Sequence, residues 1–150
     1  MSAAERKMAV TDPRRVFEDM RRARAQLAAV VTLRLRDEFG LPLDWLELLT
    51  VIAEVEGCRV HDLSTRLGMS DGGASKLVDR LEAAGYCRRL PNPADRRSSL
   101  LELTAAGQQT CARAGQAMKE ELERLLRTSL SATQISEFAA TLEDLRSPGP

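Results

Sequence analysis

Between residues 60 and 104 the hydrophobic period switches once, from helical to alternating, and a turn signal closes each segment. Val60, Leu63 and Leu67 repeat at helical spacing up to Gly68. Ser70 is placed to cap a second helix, with Ala74, Leu77, Val78, Leu81 and Ala84 inward and Gly85 as its stop. Tyr86, Arg88 and Leu90 then alternate with Cys87 and Arg89. Pro91, Asn92 and Pro93 cannot continue a ladder, and Ser98 to Leu103 resumes an extended pattern. Few chains can satisfy this order. It predicts two short helices across a tight turn, followed by a β-hairpin with a basic loop.

Helices are expected on both sides. Asp12 caps and Pro13 opens a long helix whose Val16, Met20, Leu27, Val31 and Leu35 form one apolar stripe, ending near Gly40. Leu41-Pro42 starts the next, dense in core residues from Trp45 to Ile52 and closed by Gly57. After the hairpin, Thr104 caps a helix carrying Cys111, Ala114, Met118, Leu122 and Leu125. Ser131 caps a last one carrying Ile135, Phe138, Leu142 and Leu145. Stripes on terminal helices of so small a body need each other or a second copy of the chain. Residues 1–11 and 147–150 are expected to be flexible termini.

The 43% hydrophobic content suffices for a core and excludes a disordered chain. No window approaches the roughly 18 consecutive apolar residues of a membrane span. Glu5, Arg6, Lys7 and Asp12 interrupt any leader-like block at the start. Three cysteines at no framework spacing suggest reduced thiols and a cytoplasmic location. Net charge is zero, yet it is unevenly spread: residues 1–36 carry nine bases and four acids, residues 37–57 six acids and no base. Residues 76–97 carry six bases and three acids. A nucleic-acid face needs local positive potential, so either basic stretch qualifies, and either is equally readable as an ordinary solvated face.

The two short helices form a helix-turn-helix candidate. At about 100° per residue, Gly72, Ser75, Lys76, Asp79 and Arg80 cluster opposite the Leu77/Val78/Leu81 stripe. Short polar and long basic side chains suit phosphates and base edges of a major groove. Gly72 and Gly73 each cost roughly 1 kcal/mol in a helix relative to alanine. Close approach of backbone N–H groups to a phosphate would justify them, and a weak solvent-facing start would explain them equally. Asp95, Arg96 and Arg97 fall at the hairpin tip, where an arginine can enter a minor groove. Asp95 either forks and orients Arg97 or simply makes the turn.

The run Ser70–Tyr86 resembles the recognition helix of MarR-type winged helix-turn-helix regulators. Asp95–Gly107 resembles that family's wing and the start of its fifth helix, D-x-R-x-x-x-L-x-L-T-x-x-G. The likeness covers about residues 12–146. It implies a mainly α fold with a small β-hairpin wing, that is, a winged helix-turn-helix (41–103) with dimerisation helices at 12–40 and 104–146. It further implies a homodimer on a pseudo-palindromic double-stranded DNA operator. Recognition would fall on Ser70, Gly72, Gly73, Ser75, Lys76 and Arg80, and the wing role on Asp95, Arg96 and Arg97. The doubled glycine departs from the small polar residues of that helix start, and the wing is short.

Regulators of this kind usually sense a small aromatic or phenolic ligand, or an oxidant, and the resemblance suggests a repressor released by the former. Trp45 is the large aromatic that could line a ligand cleft, or it is core. An oxidant sensor needs an accessible thiol near a positive group. Cys87, beside Arg88 and Arg89, and Cys58, beside Arg59, are the alternatives, whereas Cys111 lies on an apolar stripe. Cys58-x-x-His61 is at most half a zinc site, so no metal or cofactor is expected. One histidine, no phosphate loop and Glu54/Glu56 on different faces leave catalysis unsupported. A winged-helix module that binds protein and not DNA is the remaining alternative. Three bases at Lys76, Arg80 and Arg97 argue against it.

Overall fold

The computed structural model describes residues 12–147. Of the termini expected to be flexible, 1–11 and 147–150, Ser147 is described, as the C-cap of the last helix, and the rest lie outside the described residues. Helix α1 spans Pro13–Phe39, with the Asp12 carboxylate accepting from the Arg14 amide at 2.9 Å and Gly40 closing it at φ +61°. Helix α2 is Leu43–Glu54, ending three residues before the Gly57 turn, and α3 is Val60–Leu67. Helix α4, Asp71–Ala83, starts at Ser70, whose Oγ accepts from the Gly73 amide at 3.1 Å. Strands β1 (Cys87–Pro91) and β2 (Ser99–Leu103) pair antiparallel, from Cys87 opposite Leu103 to Pro91 opposite Ser99. Pro91 thus closes the ladder instead of starting the loop, a position a residue without an N–H can hold at a strand end. Helices α5 (Ala105–Ser129) and α6 (Ala132–Arg146) complete the chain. The mainly helical fold with a two-stranded wing is as the sequence implies.

Two hydrophobic clusters hold it. One gathers Leu48, Leu49, Ile52, Leu63, Val78, Leu81, Leu101 and Leu103 from α2, α3, α4 and the hairpin. The other joins Val31 and Leu35 of α1 to Leu41, Leu46 and Ala114. Each fully buried leucine stabilises the fold by roughly 1.5–3 kcal/mol over leaving it exposed. Trp45 and Tyr86 pack against both clusters, edge to face with ring centres 6.2 Å apart.

The hinge between hairpin and α5 is tightly built. Thr104 Oγ1 donates to the Gly85 carbonyl at 2.6 Å and accepts from the Gly107 amide at 3.1 Å, while its own amide donates to the Tyr86 carbonyl at 3.0 Å. Gly107 is buried directly against the Tyr86 backbone, where a β-carbon would lie 2.8 Å from the carbonyl carbon. The T-x-x-G signature is therefore one cap and one close approach.

The terminal stripes are less buried than their periodicity predicts. On α1 only Val31 and Leu35 are buried, and Val16 and Met20 are exposed, with Phe17 beside them 74% exposed. Helix α6 buries none of its residues, and Phe138 and Leu145 face outward. Ala84, expected inward, is exposed at the α4 C-cap. Between α1, α2, α5 and α6 runs an apolar groove of about 610 Å³, bordered by Phe17, Met20, Leu27, Met118, Phe138 and Leu142.

Candidate nucleic-acid interface

The basic stretch in α1 is largely neutralised within the fold. Arg14 pairs with Asp12, Arg21 and Arg22 with Glu18, and Arg24 with Glu47 at 3.2 Å. Arg34 reaches Glu38, Glu120 and Glu121. Apart from the Arg14–Asp12 contact at the helix cap, these are i,i+3 and i,i+4 pairs and links to neighbouring helices, the behaviour of a solvated structural face. Between the two basic stretches, this favours residues 76–97.

Helix α4 buries Ala74, Val78 and Leu81, which turns Gly72, Lys76, Asp79 and Arg80 to solvent and leaves Ser75 half-buried. Its start is fastened to α3. Ser64, buried at 5%, donates from Oγ to the His61 carbonyl at 2.9 Å and to the Asp71 carboxylate. His61 Nδ1 stands 3.4 Å from the same carboxylate. The Ser64 hydrogen bond, then His61, hold the Asp71 carboxyl below its ordinary range. Gly73 and Gly72 part company here. The Gly73 amide is already taken by the Ser70 cap, and a β-carbon at 73 would press on Ser70 Oγ at 3.1 Å. Gly72 has nothing within 4 Å of where a β-carbon would sit. Backbone approach to a ligand is thus an explanation left to Gly72 alone.

At the hairpin tip Asp95 mainly makes the turn. Its Oδ1 accepts from the Arg97 amide at 3.0 Å, whereas the Arg97 Nε contact is a long 3.8 Å. Arg97, 96% exposed, is not forked by Asp95 and projects freely. Among the described residues Lys76, Arg80 and Arg96 have no carboxylate within 4.0 Å.

Asp79, Glu82 and Glu102 are occupied by two arginines that sequence reasoning passed over. Arg88 crosses the hairpin to its register partner Glu102 at 2.7 Å. Arg89, one residue on and therefore on the opposite strand face, holds Asp79 and Glu82 of α4, each at 2.7 Å. Partial burial alone would lower the Arg89 pKa. Its bonds to Asp79 and Glu82 outweigh that and raise it. Alternation puts Cys87 and Arg89 on one face, and the structure shows that face to be the one turned to α4.

That alternation also corrects the oxidant-sensor expectation. Cys87 is 2% exposed, its Sγ against the Val78 carbonyl at 3.9 Å, and Cys58 is fully buried. Burial pushes both thiols up to about 11, so neither is a ready thiolate. In the native protein at pH 8, a thiol reagent should leave Cys58 and Cys87 unmodified until denaturant is added. Mass spectrometry of the labelled chain checks this, and rapid native labelling of Cys87 would refute it. Cys111 is half-buried near Thr50. Trp45 is not among the residues bordering the apolar groove, and it packs at the junction of the clusters. Among the described residues no three His, Cys, Asp or Glu side chains gather to hold a metal ion, and no helix is long and apolar enough to cross a membrane.

Comparison with known proteins agrees with this layout. Residues 39–98 match a family model described as the MarR family. The chain is 32% identical over 116 residues to the multiple antibiotic resistance protein MarR of Escherichia coli K12, covering 75% of this chain and 78% of that protein. A MarR-family transcriptional regulator from Rhodococcus superposes with TM-score 0.83 at 20% identity, covering 94% of this chain and 99% of the other. A cysteine-to-serine mutant of E. coli MarR complexed with operator DNA gives TM-score 0.77 at 22% identity, covering 87% and 92%. In sequence as in architecture, the chain belongs to the MarR family of transcriptional regulators.

Proposed function

We propose that the protein is a homodimeric, sequence-specific DNA-binding regulator that represses its target and is released by a small aromatic or phenolic ligand. One observation carries the DNA-binding part: Asp79, Glu82 and Glu102 are tied to Arg88 and Arg89, while Lys76, Arg80, Arg96 and Arg97 stay exposed. A protein-binding module would have no use for that division of charge. In this reading residues 41–103 are the DNA-binding domain. Ser70, Gly72, Ser75, Lys76 and Arg80 meet the major groove, and Arg96 and Arg97 the minor groove. Asp95 shapes the wing, and Gly73 supports the Ser70 cap. That a fold neighbour, a mutant E. coli MarR, is complexed with operator DNA supports the DNA-binding reading.

Residues 12–40 and 104–146 are proposed as the dimerisation helices, because the exposed Phe17, Phe138 and Leu145 need a cover that a second copy supplies. Sedimentation should give a dimer at micromolar concentration, and a stable monomer would contradict the assignment. The effector is proposed to enter the apolar groove, whose rim carries Arg21, Arg24 and Glu47, and not to stack on Trp45. Cytoplasmic action follows from DNA as the target.

The test is selection of bound sequences from a random duplex pool, with and without phenolic compounds. On the selected site, Lys76→Ala should lower affinity and reduce the slope of log K against log salt by about one per half-site. An unchanged slope would show that Lys76 faces away from the phosphates.

A further inference from the structure

Asp79 is a difficult residue for a DNA-binding helix. It lies three positions after Lys76 and one before Arg80. On an isolated helix an acid and a base three apart share a face and pair, so Asp79 would draw Lys76 to itself. Its charge would also repel phosphate. In the fold Asp79 instead pairs with Arg89 Nη2 at 2.7 Å. The same guanidinium binds Glu82 at 2.7 Å through Nη1 and approaches the Ser75 carbonyl at 3.5 Å. The Arg89 amide adds a bond to Glu82 at 3.0 Å. Ser75, Asp79 and Glu82 step by four and three, so one arginine grips a single stripe of α4 from the side of the wing.

We propose that Arg89 is a positioning residue for operator binding: it masks Asp79 and Glu82, leaves Lys76 free for phosphate, and sets the rotation of α4 against the hairpin. This rests on the DNA-binding reading above. Arg89 itself need not touch DNA. Its side chain is three-quarters covered and its guanidinium is engaged by two carboxylates. Arg88, on the other strand face with Glu102, has no such role.

The experiment uses the full-length protein and a duplex selected by the wild type, with affinity measured over a salt series. Arg89→Met keeps an aliphatic stem and removes the charge. It should weaken binding about tenfold and flatten the salt slope as Asp79 captures Lys76. Adding Asp79→Asn should bring affinity back to within about threefold and restore the slope. A simple packing staple would not be rescued by deleting its own partner. Asp79→Asn alone should bind at least as tightly as wild type, a readout that stands even if Arg89→Met does not fold. Unchanged binding by Arg89→Met, absence of rescue, or marked weakening by Asp79→Asn alone each overturns the proposal. Wild-type protein that selects no duplex overturns the DNA-binding reading itself, and the proposal with it.

Discussion

Gly107→Ala is expected to destabilise the protein by about 3 kcal/mol, the high end for overpacking a core site. The β-carbon would overlap the Tyr86 carbonyl group, and the obstacle is backbone, which cannot rotate aside as a side chain would. Relief requires α5 to move away from the hairpin. That movement breaks the Thr104 bonds to Gly85 and Tyr86 and loosens Leu101 and Leu103, which are buried one strand away. Chemical denaturation measures the effect as a lowered midpoint. Gly115→Ala in the same helix is the control, since nothing lies within 4 Å of where its β-carbon would sit. It should hold or raise stability by up to about 1 kcal/mol through helix propensity. Equal midpoints for Gly107→Ala and wild type would mean that the hinge is not closely packed.

Arg97→Ala should do the opposite, leaving the fold untouched and damaging the interaction with DNA. The side chain is 96% exposed and its one ion pair spans 3.8 Å, so its loss should change stability by less than about 0.5 kcal/mol. Removing a groove-entering arginine costs about tenfold in affinity at each wing, hence about a hundredfold when both wings of a dimer lose it. A gel shift at fixed salt, paired with thermal unfolding, separates the two quantities. Wild-type affinity in this variant would exclude the wing from recognition.

Much of this architecture can be read from punctuation. Asp12-Pro13, Ser70, Thr104 and Ser131 each cap the helix expected of them, because a capping oxygen and its amide are neighbours in sequence. The exposed bases at 76, 80, 96 and 97 were legible for a similar reason, from helical phase and from loop composition. Cys87 was not. Alternation shows that a hairpin has two faces, and only the position of α4 decides which one is covered. Arg89 escaped with it, since ion pairing to Asp79 and Glu82 depends on that same choice of face. The stripes of α1 and α6 mark a second boundary: periodicity identifies an apolar side but not what covers it. Gly107 was visible as part of a motif, but its steric reason lies in Tyr86, twenty-one residues earlier.

The edge-to-face pair of Trp45 and Tyr86 gives the protein a built-in optical reporter. Trp45 is the single tryptophan of the chain, and its ring packs on both clusters at once. Its emission maximum and quencher accessibility therefore report on the seam between the long-helix half and the wing-bearing half. Any effector that shifts one half relative to the other should change that fluorescence without an added dye.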